Sequence, residues 1–283
     1  MPYVTVGHEN SAPIELYYED HGDPSAPPVV LIHGFPLSGA SWEKQLPPLL
    51  AAGHRVITYD RRGFGKSSQP AVGYDYDTFT ADLDALLTAL DLQDVALVGF
   101  SMGTGEVTHY IGTRGTSRVR KAALLGAIPP FLLQTDDNPE GVPGDVFTGI
   151  EDAIKADRPS YLTAFLADFN NVDDLGPARI TDEALRGQWQ VAYGASGVAT
   201  LACVQTWLTD FRADIEKFDV PTLLVHGTAD RILPLDATAG RLPAIFERIG
   251  TPLTHVFVEN APHNLGWTHA DELNEALVSF LAD

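Results

Sequence analysis

Val95-Ala96-Leu97-Val98-Gly99-Phe100-Ser101-Met102-Gly103-Thr104-Gly105 is the stretch whose reading decides how this chain folds. A short apolar run leads into G-x-S-x-G, and a helix-like segment follows from about Thr104. A turn this sharp between a strand and a helix strains the serine backbone. Glycines two residues before and two after it let the flanking elements pass closely while the hydroxyl projects from the sheet edge. Ser101 is therefore the candidate nucleophile. The plainer alternative is a serine that merely caps a helix, and the rest of the chain has to decide between the two.

Residues 29–32, 55–59, 95–98, 121–125, 222–225 and 254–258 are short apolar runs without clean alternation, the pattern of strands buried on both faces. Helix-like segments at 41–51, 77–90, 104–112, 237–249 and 269–281 lie between them. Strands alternating with helices predict an α/β chain with a mostly parallel, doubly wound sheet whose ligands bind outside the carboxyl ends of the strands. The first segments, 3–6 and 14–20, read as an antiparallel hairpin at a sheet edge. From Pro129 to about Lys217 the alternation stops, and only helical patterns appear, around 146–156, 160–168, 182–193 and 197–209. The expectation is a helical lid, residues 129–217, inserted between core strands of a domain made of 1–128 and 218–283.

The chain has 283 residues, 45% of them hydrophobic and 20% charged, enough for a sizeable core and ordinary for a globular protein. No apolar run is long enough to cross a bilayer. With 38 acidic and 18 basic residues the formal charge is −20, which argues against a nucleic-acid partner or an anionic membrane surface and leaves small molecules as the expected partners. The first residues show neither the basic head nor the apolar stretch of a secretory signal, and Cys203 is the single cysteine, so cytoplasmic residence is expected.

A serine hydroxyl needs a base, and the base needs an orienting acid. After the run 222–225 comes His226-Gly227-Thr228-Ala229-Asp230, and after 254–258 comes Glu259-Asn260-Ala261-Pro262-His263-Asn264, which puts Asp230 and His263 in loops at the carboxyl edge. Either alone would be an ordinary loop residue; together with Ser101 they follow three separate strands in the order Ser, Asp, His. Of the other histidines, His8, His21, His54 and His269 read as exposed, His109 as helical, and His226 and His255 as lying at or inside strands. An oxyanion requires preorganised N–H donors. Met102 supplies one at the start of its helix, and Phe35, in His33-Gly34-Phe35-Pro36 after the run 29–32, supplies the second because Pro36 has no N–H. Phe131, Phe147, Phe165, Trp189 and Trp207 are candidates to line an acyl pocket, with Trp207 and Pro36 placed nearest the substrate. Gly65-Lys66-Ser67 lacks the earlier glycine of a P-loop, and no histidines and carboxylates stand at metal-ligand spacing, so neither a cofactor nor a metal is indicated.

His33-Gly34-Phe35-Pro36, the segment Asp60-Arg61-Arg62-Gly63-Phe64-Gly65-Lys66-Ser67, Gly99-Phe100-Ser101-Met102-Gly103, His226-Gly227 with Asp230, and Pro262-His263 together resemble the α/β-hydrolase superfamily. Within it, the phrases around Asp60, Ser101 and Asp136-Asp137-Asn138-Pro139-Glu140-Gly141 are similar to the cofactor-free (non-haem) bacterial haloperoxidases, a group that also includes aryl esterases, perhydrolases and a γ-lactamase. The resemblance implies a Ser-His-Asp esterase that also uses hydrogen peroxide in place of water to make peracids, halide oxidation then following from the released peracid. It assigns Ser101 as nucleophile, Asp230 as acid, His263 as base, and Phe35 and Met102 as oxyanion donors, and it allows a homo-oligomer. Pro36 resembles the perhydrolase members and is expected to favour perhydrolysis by aiming the Phe35 carbonyl into the site. Members commonly carry glycine after the catalytic histidine; this chain has Asn264, which tolerates a left-handed backbone better than most residues. The alternatives are a lactamase acting on a small cyclic amide and, in another class, a silent hydrolase-fold protein that binds a ligand.

Overall fold

The short apolar runs become one eight-stranded sheet in the computed structural model, which describes residues 2–282. In chain order the elements are β1 (Tyr3–Glu9), β2 (Ala12–His21), β3 (Pro28–Ile32), α1 (Leu46–Ala51), β4 (Arg55–Tyr59), α2 (Tyr76–Ala89), β5 (Val95–Phe100), α3 (Met102–Arg114) and β6 (Val119–Leu125). Then come α4 (Gly144–Phe169), α5 (Val172–Leu175), α6 (Asp182–Tyr193), α7 (Gly197–Thr206) and α8 (Arg212–Ile215). The chain closes with β7 (Thr222–Gly227), α9 (Leu242–Ile249), β8 (Leu253–Val258), α10 (Leu265–Thr268) and α11 (Ala270–Ala282). The strand order is β1-β2-β4-β3-β5-β6-β7-β8. β1 and β2 pair antiparallel, as does β2 with β4, and every other pairing is parallel.

Successive residues of the parallel strands divide between two apolar layers, as a pleated strand requires. Val30, Ile57, Leu97 and Leu224 face the layer closed by Phe79 and Leu83 of α2, Val107 and Ile111 of α3, and Phe246 of α9. Val29, Val56, Val98 and Leu223 face the layer closed by Leu49 of α1 and Leu273 and Leu277 of α11. The sheet is thus covered on both faces, and its strands carry no polar face in the sequence.

Differences from the sequence expectation have local causes. The segment 41–51 is a 3₁₀ turn at Gly39–Trp42 followed by α1, because Pro47 and Pro48 fit the first turn of a helix and not its interior. Likewise α9 begins only at Leu242, with Pro243 in its first turn. β8 is an edge strand with Thr254 and His255 exposed rather than a strand buried on both faces. His54 and His269, expected on the surface, are buried.

Between β6 and β7 the chain is helical, with α4 interrupted at Asp157, whose φ and ψ of −159° and 88° break the helix two residues before Pro159. The Asp157 carboxylate accepts the Ser160 N–H at 3.0 Å and so caps the second half. No helix of the described residues is long and apolar enough to cross a membrane.

Candidate active site

β3 lies between β4 and β5, so the chain leaving β3 and the chain leaving β5 diverge at the carboxyl edge and open a crevice there. Ser101 sits in this crevice between β5 and α3 with φ 53° and ψ −121°, a conformation that costs energy for any residue but glycine. The flanking glycines have a measurable reason. A Cβ on Gly99 would come within 2.4 Å of the Gly103 carbonyl oxygen, and one on Gly103 within 2.3 Å of the Ile32 carbonyl oxygen. The strand and helix therefore touch backbone to backbone, and Ser101 is left at the tip.

His263 comes from the loop after β8 and Asp230 from the loop after β7, and the structure brings both to Ser101. The Asp230 Oδ2 accepts from His263 Nδ1 at 2.7 Å, and His263 Nε2 stands 2.8 Å from Ser101 Oγ. A carboxylate can only accept, so Nδ1 carries the ring proton and Nε2 is left to accept the hydroxyl proton. Asp230 Oδ1 is fixed by the N–H groups of Ile232 at 2.9 Å and Leu233 at 2.8 Å. Burial works to raise the Asp230 carboxyl, but the facing His263, with His226 and the Leu233 N–H, holds it below the ordinary carboxylate range. It stays ionised. His263 is fully buried and Ser101 is 5% exposed.

His226, at the end of β7, had been passed over as a strand residue, yet its Nε2 lies 3.2 Å from Asp230 Oδ2. Its Nδ1 accepts the Ala127 N–H at 3.1 Å and its Nε2 donates to the Leu233 carbonyl at 2.9 Å, so the ring is a neutral brace between β6 and the Asp230 loop. The signal for it was in the sequence: His-Gly directly after a strand occurs twice, at His33-Gly34 and His226-Gly227.

The His33-Gly34-Phe35-Pro36 loop packs against the serine so closely that a Cβ on Gly34 would lie 2.8 Å from Ser101 Cβ. Among the described residues, neither the Phe35 nor the Met102 N–H donates to another group of the protein, so both are available as donors beside Ser101. The loop is held from below. His33 Nε2 accepts the Arg61 N–H at 2.9 Å, its Nδ1 donates to the Gly34 carbonyl at 2.8 Å, and Arg61 Nη2 donates to the His33 carbonyl at 3.0 Å. Burial and the Arg61 charge push the His33 imidazole well below its ordinary value, which keeps this tautomer neutral. Arg61 in turn donates from Nε to Glu106 Oε2 at 2.8 Å, and Tyr59 donates to the other Glu106 oxygen. The loop after β3 and the helix after Ser101 thus share one buried ionic support.

Above the serine is a cavity of about 310 Å³, lined by Phe35 and Ser101 from the strand ends and by Phe147, Tyr161, Phe165 and Trp207 from the inserted helices. Of the aromatic residues expected there, Phe147, Phe165 and Trp207 are present. Phe131 instead packs under the Arg212 guanidinium, 5.0 Å from its ring, and Trp189 lines a separate groove on the outer side of α4 and α6. Pro36 does not line the cavity. Tyr161 does, although sequence reading missed it.

The segment after α4 is tied to both loops. The Phe169 carbonyl accepts the Asn264 N–H at 2.9 Å, Asn170 Oδ1 accepts from the Asn264 side chain at 2.9 Å, and Asn171 Nδ2 donates to the Ala229 carbonyl at 2.8 Å. Asn264 has φ −81° and ψ 48°, so the left-handed tolerance expected of it is not used. Its amide has a different task, bridging the histidine loop to the inserted helices. Among the described residues no group of three or more histidine, cysteine or acidic side chains could hold a metal ion.

Residues 27–270 match the model of the alpha/beta hydrolase fold family. The chain belongs to the α/β-hydrolase family. It is 60% identical, over 99% of its length and all of the relative's, to a Synechocystis sp. protein provisionally named a non-heme chloroperoxidase. It is 30% identical to the bifunctional esterase/perhydrolase of Acinetobacter calcoaceticus over 99% of both chains. The crystal structure of bromoperoxidase from Bacillus anthracis superposes with a TM-score of 0.92 at 47% identity, covering 99% of each chain. Within the family, the chain is of the non-heme haloperoxidase and esterase/perhydrolase group.

Proposed function

We propose that this protein is a serine hydrolase of carboxylic esters that works through an acyl-enzyme, and that hydrogen peroxide competes with water to release a peracid, which then oxidises halide. The observation that carries the reading is the continuous hydrogen-bonded line from Ser101 Oγ through His263 to Asp230, at 2.8 and 2.7 Å. His263 takes the Ser101 proton as Oγ attacks the acyl carbonyl, and Asp230 stabilises the imidazolium. The oxyanion rests on the N–H groups of Phe35 and Met102. His263 returns the proton to the leaving alcohol, then deprotonates water or hydrogen peroxide, and the second attack gives back Ser101 with acid or peracid. The esterase/perhydrolase and haloperoxidase relatives support the pairing of these two outcomes. In this reading residues 129–217 act as a cap over the acyl pocket. A small molecule is the substrate, and a cytoplasmic setting fits the lone, buried, unpaired Cys203.

The test is hydrolysis of p-nitrophenyl acetate and peracetic acid formation from acetate and hydrogen peroxide, measured together. Ser101→Ala is expected to lower both by a factor on the order of 10⁴ or more; retention of either activity breaks the shared acyl-enzyme route. The same assay tests Pro36. Its ring fixes the backbone after Phe35, whose carbonyl would accept a hydrogen bond from peroxide, so Pro36→Leu is expected to lower the ratio of perhydrolysis to hydrolysis, and an unchanged ratio removes that role.

A further inference from the structure

The cavity above Ser101 is apolar apart from two groups that have nothing to bond to. Among the described residues, several buried side-chain nitrogen and oxygen atoms lack a hydrogen-bond partner, and two of them belong to residues lining this cavity: Tyr161 Oη and Trp207 Nε1. Buried polar atoms in native proteins are nearly always satisfied, so an orphan in a binding cavity marks a partner that arrives with the ligand. Both are donors. The indole N–H can only donate, and burial pushes the Tyr161 phenol above its ordinary range, which keeps it a neutral O–H.

Their positions follow from ring packing. Trp207, the residue capping the end of α7, sits with its ring centroid 4.7 Å from Phe35. Tyr161 is one ring further out: it packs on Phe165 at 5.7 Å, and Phe165 packs on Phe35 at 5.8 Å. One donor therefore stands beside the residue proposed for the oxyanion hole and the other on the inserted wall of the cavity. A charged acceptor is not what they suit. The cavity's one cation, Arg231, already holds Asp173 at 2.7 Å and Asp174 at 2.5 Å, and Asp168 adds a negative charge to the lining.

Resting on the hydrolase reading above, we infer that Tyr161 and Trp207 form an acceptor-recognising subsite, and that the preferred substrates carry a neutral oxygen, an ether, ketone or ester oxygen, in the acyl chain. A plain alkyl acyl group fills the same volume and leaves both donors unpaired, so it binds and reacts less well. Water is the competitor for these donors, and only a substrate oxygen placed in register displaces it with gain.

The experiment walks an oxygen along the chain. p-Nitrophenyl methoxyacetate, 3-methoxypropanoate and 4-methoxybutanoate are each paired with the ester in which CH₂ replaces the ether oxygen: butanoate, pentanoate and hexanoate. The readout is the ether-to-alkyl ratio of kcat/KM in wild type, divided by the same ratio in Tyr161→Phe and in Trp207→Phe, so that the intrinsic reactivity of each ester cancels. For at least one pair the quotient is expected to reach about tenfold in one variant, the order of one neutral hydrogen bond. Quotients within twofold of unity for all three pairs in both variants overturn the inference, and the two donors are then served by water. Tyr161→Phe removes a single oxygen, and Trp207→Phe gives an independent answer should the first variant fold poorly. Turnover of the alkyl esters by wild type and its loss in Ser101→Ala keep the hydrolase reading standing even where the subsite fails, whereas no turnover of any of the six esters removes both.

Discussion

The floor and the roof of the active-site cavity are built on opposite rules. On the floor, at the strand ends, the polar groups are spoken for: Asp230 accepts three hydrogen bonds, His33 makes one at each ring nitrogen, and Glu106 takes Arg61 and Tyr59. On the roof, in α4 and at the end of α7, aromatic rings meet edge to face and two donors go unpaired. The difference separates two jobs. A site that stabilises developing charge must be set before the substrate arrives, because reorientation during the reaction would cost barrier height. A site that chooses among substrates has to leave something for the substrate to complete.

If that division is right, damage to the floor and to its supports should outweigh damage elsewhere. The largest effect is expected from Asp230→Asn. The amide cannot stabilise the imidazolium and lets the wrong His263 tautomer form, so kcat/KM for p-nitrophenyl acetate should fall by a factor on the order of 10²–10⁴ while KM changes little. A loss below tenfold would mean that the acid is not setting the histidine.

Glu106→Gln reaches the floor through its foundation. Glu106 and Arg61 are both essentially fully buried, so neutralising one leaves the guanidinium without its counter-charge. The expected cost is about 3 kcal/mol of stability, read from urea unfolding midpoints. An unchanged midpoint would show that the pair is dispensable and that His33 is held by its backbone bonds alone.

The smallest effect sharpens the comparison at the joint between the two regions. His109 of α3 bridges Asp77 at the start of α2, at 2.8 Å, and Asp214 in α8, at 2.7 Å, where the chain returns from the inserted helices to the sheet. The Asp214 hydrogen bond raises the His109 pKa above 6.5, against burial and with help from Asp77. A folded value raised above the unfolded one gives stability that is fully present below about pH 6.5 and is lost as pH climbs through the folded value. His109→Gln should therefore lower Tm by about 2 °C at pH 6 and by less at pH 9, since one ion pair is partly solvent-screened. An equal loss at both pH values would assign His109 a packing role only.

The strand-helix alternation, the edge hairpin, the long interval without strands and the three loop residues at the carboxyl edge were all readable from residue order, because each is a local pattern repeated at known spacing. The nucleophile elbow is the clearest case, since the spacing of Gly99, Ser101 and Gly103 encodes a close backbone contact that a side chain would block. His226 and Tyr161 were harder to see. His226 looks like any residue ending a buried strand, and its nearness to Asp230 depends on how the following loop turns back. Tyr161 looks like one more helical aromatic, and that its hydroxyl finds no partner is a property of the assembled cavity. His54 and His269 were misread because polarity alone suggested exposure, whereas an imidazole also packs as an amphipathic ring.

The seam at Phe169, Asn170 and Asn171 sets a border for anyone who would redraw this enzyme's substrate range. Those three neighbours are sewn to the loops carrying His263 and Asp230, so a cap transplanted from a relative with its own ending would bring foreign stitches into the catalytic loops. The break at Asp157 and Pro159 offers a natural cutting line upstream. Tyr161 and Phe165 lie downstream of that break and ahead of the seam, where the cavity wall can be recast residue by residue without unpicking what holds the histidine and its acid in place.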